Sequence, residues 1–537
     1  MKNFKNYSID FREKEFAVFV GENEWFRLPV SSCVDTKEKT DIDIDSINLQ
    51  LAETESSITA IWQTRSNLWY EKIYTIIADE NGFHYTFNIK GEGKVSKIRY
   101  FVGEEGVEHH NVSGYLLPIA THKSRNNLTK NVFENGEIAL GYFAPSPFVY
   151  PFYMAGETGW FGLGLTAKAG QYNFDRFLYN NDFTFELPLY NITEVNGEWE
   201  APGIWGGYGE DALDVIAAYS SWHYDTGLCK RQNTENRPSW WRGPIFGTWG
   251  EQMTIGARIG VYPDVLADED NCEKMYQTLK DRGLKPNIFI IDAKWQIAHG
   301  VLEVDKSKWR DMRAFVDKLH AEGTHVLLWI RSFNCEGLEH WECVKSLTNP
   351  IASDPTNPKF IERTKKNLHT LLSSDEGCMN CDGFKVDFIN CIPEGENILT
   401  YKKGIYGVEL IKEWLSLLYT TAKRIKPDAL LNVSCAHPYM AEVTDHVRLH
   451  DIYEETCAAC SIQGYRAQIA RAVYPDTLID CDSPGPYSHR NFLEFVKFQS
   501  KLGIPCLYWL TGKFETPMDE DDINAIRTEW DSYKKNL

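Results

Sequence analysis

Two rhythms of apolar and polar residues divide the chain. Up to about residue 205 the period is two, in the runs 57–62, 70–77, 83–89 and 97–102. These runs are short, rich in β-branched and aromatic residues, and separated by turn strings such as Asn81-Gly82 and Gly91-Glu92-Gly93. The runs 138–143, 160–166 and 183–187 continue the pattern, which predicts an antiparallel β-sandwich. At 211–224 the spacing becomes helical, and 232–244 reads as a linker.

After Pro244 apolar strands alternate with amphipathic helices, as a parallel sheet with covering helices requires. Strands are expected at 245–249, 287–292, 325–331, 383–388, 430–434, 446–451, 477–482 and 505–509. Helices are expected at 272–282, 307–322, 358–372, 408–425, 462–473, 490–502 and 522–533; the segment between the fifth and sixth strands is too short for one. The fold class expected is therefore an N-terminal antiparallel β-sandwich followed by a (β/α)8 TIM barrel. Its parts are 1–230 (sandwich with a closing helix), 231–243 (linker) and 244–537 (barrel), with chemistry at the C-terminal strand ends.

Composition narrows the partners. With 56 Lys+Arg against 76 Asp+Glu the net charge is −20, so nucleic acid and anionic membranes are repelled. The start of the chain has no apolar leader, and no stretch approaches the roughly 18 apolar residues of a membrane span, so a cytoplasmic location is expected. The 17 Trp and 27 Tyr suit both core packing and sugar faces. The 13 Cys lack scaffold spacing and read as buried free thiols. Cys378-x-x-Cys381 and Cys457-x-x-Cys460 fall at opposite barrel ends, which argues against one shared zinc site.

Lys385 and Asp387 lie two apart on the fourth strand and so share its inner face, where the ammonium favours an ionised carboxylate suited to nucleophilic attack. A structural ion pair would leave the same string. On the sixth strand Arg448 and Asp451 reach the mouth, with Asp451 a candidate proton donor and Glu454 and Glu455 competing for that role. Asp292 on strand two and Asp482 on strand seven could accept hydrogen bonds from sugar hydroxyls, and Trp249, Trp295, Trp329 or Trp509 could present a flat ring, each with core packing as its alternative. The first strand has no His-x-His for a metal-dependent amidohydrolase, and no radical cysteine triad, phosphate loop or nucleophile elbow occurs.

In order and position these strand ends resemble the α-galactosidase-like clan of retaining glycoside hydrolases, families 27, 36 and 31, and look closest to family 36. The residues that carry the likeness are Asp292 with Trp295, Lys385-x-Asp387, Arg448-x-x-Asp451 and Asp480-x-Asp482. The resemblance spans about 240–515. It implies a retaining exo-α-glycosidase with Asp387 as nucleophile and Asp451 as acid/base; Asp292, Lys385, Arg448, Asp482, Trp249, Trp295 and Trp329 are then the candidate substrate-binding residues. No cofactor and no metal are expected, and the partner is an oligosaccharide or glycoside, with homo-oligomer formation open. Galactosidases of the clan carry a second acid on strand two where this chain has Ala293 followed by Lys294, a cation that would suit an anionic sugar. The C-terminal β-domain common in the clan is not expected after Leu537. A non-catalytic carbohydrate-binding protein and a transglycosylase using the same residues are the alternative readings.

Overall fold

The computed structural model describes residues 1–45, 48–102, 114–116, 130–140, 145–181, 183–451, 458–482, 489–512 and 517–537. Its N-terminal part is antiparallel throughout: a four-stranded sheet over the first 29 residues packs beside a larger sheet that reaches Gly209. The core between them is heavily aromatic, with Phe26, Phe152, Phe161 and Phe183 in mutual ring contact. One expectation fails here. Gly91-Glu92-Gly93 is no turn, because the strand Gly82–Tyr100 runs straight through it. These glycines admit the ring of Trp69: a Cβ on Gly91 would lie 2.7 Å from that ring. The ring is in turn tied by its indole N–H to the Val34 carbonyl at 2.9 Å. The true hairpin end is at Gly82, whose φ of 128° excludes other residues at low cost.

Beyond Pro244 eight parallel strands form a nearly closed barrel. They are β1 (Ile245–Gly247), β2 (Ile288–Ile291), β3 (His325–Arg331), β4 (Gly383–Asp387), β5 (Leu430–Val433), β6 (His446–Arg448), β7 (Leu478–Asp480) and β8 (Cys506–Leu507). Each pairs with its sequence neighbour from β1 to β7, and β8 pairs with β1. A single parallel bridge, Asp480 to Ile504, joins β7 towards β8. Covering helices follow the expected places. The helix Met312–Ala321 is representative: Asp311 accepts from Ala314 N, Met312, Phe315, Val316 and Leu319 form the buried stripe, and Gly323 at φ 78° turns the chain into β3. Burying those four side chains contributes about 1.5–3 kcal/mol each. Between β5 and β6 a 3-10 helix, Pro438–Val443, stands where the segment is too short for a full helix. A helix unforeseen in the sequence, Trp249–Ile259, follows β1 directly.

The interior of the barrel is layered. Ile245, Ile288, Ile290, Leu327, Leu430, Ile504 and Cys506 fill its lower part, and two residues further along the strands the interior turns polar. Residues 232–244 pack across the floor, where Trp241 joins this interior core and Trp240 stacks on His325 at 4.1 Å. The sandwich meets the barrel beside β4 and β5. Glu409 accepts from Gly170 N, Tyr172 N and the Tyr439 hydroxyl, and Tyr172 stacks on Tyr439 at 4.1 Å. Arg176 also reaches Glu394, in the segment after β4, at 3.1 Å.

Candidate active site

At the C-terminal ends of the strands, carboxylates crowd together with few cations. Asp387 ends β4. Its Oδ1 accepts from Arg448 Nη2 at 2.7 Å and from Phe388 N at 2.9 Å, and its Oδ2 accepts from the Trp329 indole at 3.0 Å. His450 Nε2 lies 3.3 Å from the same Oδ1. His450 Nδ1 accepts from Asp451 N at 2.7 Å, which leaves Nε2 as the ring nitrogen on the Asp387 side. Burial pushes the Asp387 carboxyl up, but Arg448, His450 and Lys385 together hold it well below the ordinary carboxylate range.

Arg448, fully buried on β6, splits its fork: the second arm donates to Asp482 at 2.6 Å. Lys385 donates to Asp292 at 2.8 Å and lies 4.8 Å from the centre of the Tyr508 ring. Asp292 is placed by Thr248, whose hydroxyl accepts from its backbone N–H. Asp480 lies below Asp482 and takes hydrogen bonds from Asn432 and Cys506. Asp451 is half-buried. Burial and the nearby Asp482 charge raise its pKa, against the smaller opposing pull of His450 and Arg448. Arg466 holds the backbone there by donating to the carbonyls of Leu449, His450 and Asp451.

The backbone at this end is strained. Phe333, Phe388, His450 and Asp482, all just past strand ends, have φ between 51° and 63°. Non-glycine residues in that region cost on the order of 1 kcal/mol each, and such residues cluster where side chains must be aimed.

The structure brings Asp292, Lys385, Asp387, Arg448, Asp451 and Asp482 to one end of the barrel. Trp329 joins them through its N–H, not through an open face. Trp295, expected as a sugar platform, is fully buried and donates to the Trp329 carbonyl at 2.8 Å, so its ring is core. Trp249 is half-buried at the head of its helix, against the cluster of Tyr508 and Trp509. Trp509 itself is buried. Lys294 is paired with Glu336 at 2.7 Å. Glu454, Glu455 and Cys457 lie outside the described residues. Sequence reasoning missed His450, although its place two residues beyond Arg448 was a readable signal.

This arrangement has a counterpart among known proteins. Residues 251–475 match the model of the glycosyl hydrolases family 31 TIM-barrel domain. Most of the barrel is thus similar to a family 31 glycoside hydrolase domain. That model is of family 31, so the closer look to family 36 read from the motifs is not confirmed, nor is an α-galactosidase-like character in particular. No curated protein sequence matches the chain. Among solved structures, a family 31 sulfoquinovosidase from E. rectale superposes with a TM-score of 0.61 at 13% identity, covering 98% of this chain and 82% of that one. A family 31 α-xylosidase from a soil metagenome gives 0.57 at 11% identity, with 98% and 84% covered. A family 36 α-galactosidase from Geobacillus stearothermophilus gives 0.54 at 11% identity, with 96% and 78% covered. The fold is thus common to both families, and the chain is a glycoside hydrolase. Among the described residues, no helix is long and apolar enough to cross a membrane.

Proposed function

We propose that this glycoside hydrolase is a retaining exo-α-glycosidase in which Asp387 is the nucleophile and Asp451 the acid/base. A carboxylate oxygen of Asp387 attacks the anomeric carbon as the glycosidic C–O bond breaks, and the departing oxygen takes the proton of Asp451. Asp451 then removes a proton from water, whose oxygen attacks the same carbon and displaces Asp387. The pairs Asp292–Lys385 and Arg448–Asp482 bind hydroxyls of the terminal sugar, and Trp329 and Trp249 border it. The observation that carries this reading is the opposite drive on the two carboxyls: Asp387 is held ionised by Arg448 and His450, while burial and Asp482 favour the proton on Asp451. The free thiols at all described cysteines support a reducing, cytoplasmic setting.

The neighbours' names span sulfoquinovose, xylose and galactose, so the test is a panel of aryl α- and β-glycosides given to wild type, Asp387→Asn and Asp451→Asn. Cleavage of an α-glycoside with retention, abolished by Asp387→Asn, is the expected result. Full activity of Asp387→Asn would overturn the assignment, and an uncleaved panel would favour the carbohydrate-binding reading.

A further inference from the structure

Among the described residues at the barrel mouth, the cation Arg331 has no acid within ion-pair distance. Arg331 ends β3 on the interior face, since Leu327 belongs to the interior core, Trp329 reaches Asp387, and Arg331 is the next residue up that face. It pairs in register with Asp387 itself, on a strand about 4.8 Å away. Its half-buried side chain lies over the ring of Phe388, with the guanidinium carbon 4.9 Å from the ring centre. Among the described residues no carboxylate lies within ion-pair distance of it. The neighbouring cations are all taken: Lys294 by Glu336 at 2.7 Å, Lys385 by Asp292 at 2.8 Å, and Arg448 by Asp387 and Asp482 at 2.7 and 2.6 Å.

In a chain of net charge −20, an arginine left without an acid beside the proposed nucleophile answers no need of the protein's own charge balance. Its planar fork matches a carboxylate or sulfonate in two parallel hydrogen bonds, and stacking on Phe388 fixes the fork before a ligand arrives. We propose that Arg331 is a specificity residue that takes an oxyanion, a carboxylate or sulfonate, carried by the sugar bound against Asp387. This rests on the glycosidase reading for the place of the sugar. It also moves the anion contact from Lys294, which Glu336 neutralises, to the neighbouring strand. A neutral sugar leaves the guanidinium to water and gains nothing from it, so the preference comes from a contact made with the acid alone.

Calorimetric titration tests this without turnover. Glucuronate, galacturonate and 6-deoxy-6-sulfoglucose are titrated against glucose and galactose, using wild type, Arg331→Gln and Arg331→Lys. At least one acid is expected to bind wild type at least tenfold more tightly than its neutral counterpart. Arg331→Gln should abolish that preference and Arg331→Lys keep part of it, with unchanged melting temperatures showing that both variants fold. Equal binding of acids and neutral sugars by wild type, or a preference that survives in Arg331→Gln, would overturn the proposal. The two readings fail separately. An Arg331-dependent preference in a protein that cleaves no α-glycoside removes the glycosidase and keeps the anion site, whereas cleavage of neutral α-glycosides without any preference for acids does the reverse.

Discussion

The two ends of the barrel solve the same electrostatic problem differently. At the floor two buried carboxylates stand apart, each with its own cation: Asp445 pairs with Lys423 at 2.8 Å, and Asp382 is surrounded by donors, His320 at 2.6 Å, Val326 N at 2.8 Å, Lys426 at 2.9 Å and His325 at 3.6 Å. Burial pushes its pKa up, but the hydrogen bonds from the two histidines and then the Lys426 charge outweigh it, so Asp382 is held ionised. His320, His325 and Asp382 are spaced as metal ligands would be, yet the Lys426 ammonium already occupies the cation's place. At the mouth, Asp292, Asp387, Asp451, Asp480 and Asp482 share Lys385 and Arg448. Here the carboxyls divide: Asp387 and Asp482 are driven towards ionisation, and burial raises Asp292, Asp451 and Asp480. Acid–base chemistry needs both protonation states within one pocket, and a crowd of like charges supplies them where carboxylates set apart, each with its own cation, do not. Backbone strain divides the same way. At the floor Gly283, Gly323, Asn380 and Gly383 adopt positive φ cheaply, whereas at the mouth the non-glycine residues Phe333, Phe388, His450 and Asp482 adopt it just past strand ends.

The sharpest break in this comparison is Asp387→Asn. It keeps the shape and removes the charge, and kcat is expected to fall by roughly 10^4-fold or more with little change in melting temperature. Asp451→Asn should cost about 10^2–10^4-fold on glycosides with poor leaving groups and much less on a dinitrophenyl glycoside, whose departing oxygen needs no proton. Steady-state kinetics on a leaving-group series separates the two roles. Equal losses across that series would remove Asp451 from the acid's place.

The floor should behave in the opposite sense. Lys426→Met leaves Asp382 short of its ammonium, along with the carbonyls of Asn380 and Cys381 that Lys426 also serves. A loss of about 2–3 kcal/mol in urea unfolding is expected, with kcat unchanged. The pH dependence has a definite sign. Because the folded pKa of Asp382 lies below the ordinary carboxylate value, its contribution is present above about pH 4 and is lost as the pH falls further. A variant as stable as wild type at pH 7 would show that the floor network is ornamental.

A smaller effect probes the coupling at the mouth. The Asp482 charge helps keep the proton on Asp451, so Asp482→Asn should lower that pKa and move the alkaline limb of kcat/KM to lower pH. The acid limb, set by the depressed Asp387, should stay below the ordinary carboxylate range. An alkaline limb that moves upward would mean that another group titrates there.

Much of this division could be read in the chain beforehand. The barrel strands were legible because both faces are buried, which leaves short apolar runs ending in charged residues. Period two placed Lys385 with Asp387 and aimed Arg448 at the mouth, where the ion pairs of all three are found. The helix Trp249–Ile259 was illegible because Gly250 and Gly256 dilute its apolar stripe. Gly91 and Gly93 imitated a turn, since a glycine needed for the approach of Trp69 looks the same in sequence as one needed for positive φ. Trp295 and Trp329 were indistinguishable as letters. Which ring is sealed in the core depends on packing across strands, and so does the pairing that takes Lys294 and leaves Arg331 open.

That pairing yields the smallest expected effect. Lys294 and Glu336 form a rim ion pair in which the Glu336 side chain is 47% exposed, so solvent screens it and Lys294→Ala should cost no more than about 0.5 kcal/mol of stability. The informative measurement is the kcat/KM ratio between a uronide and its neutral counterpart. Because Glu336 neutralises Lys294, that ratio should move by less than about twofold, close to the thermal energy RT. A large fall in the ratio would return the anion contact to the loop after β2, where the strand-two motif first suggested it. A ratio left unchanged by Lys294→Ala and collapsed by Arg331→Gln would place the discrimination on β3, one strand away from the nucleophile.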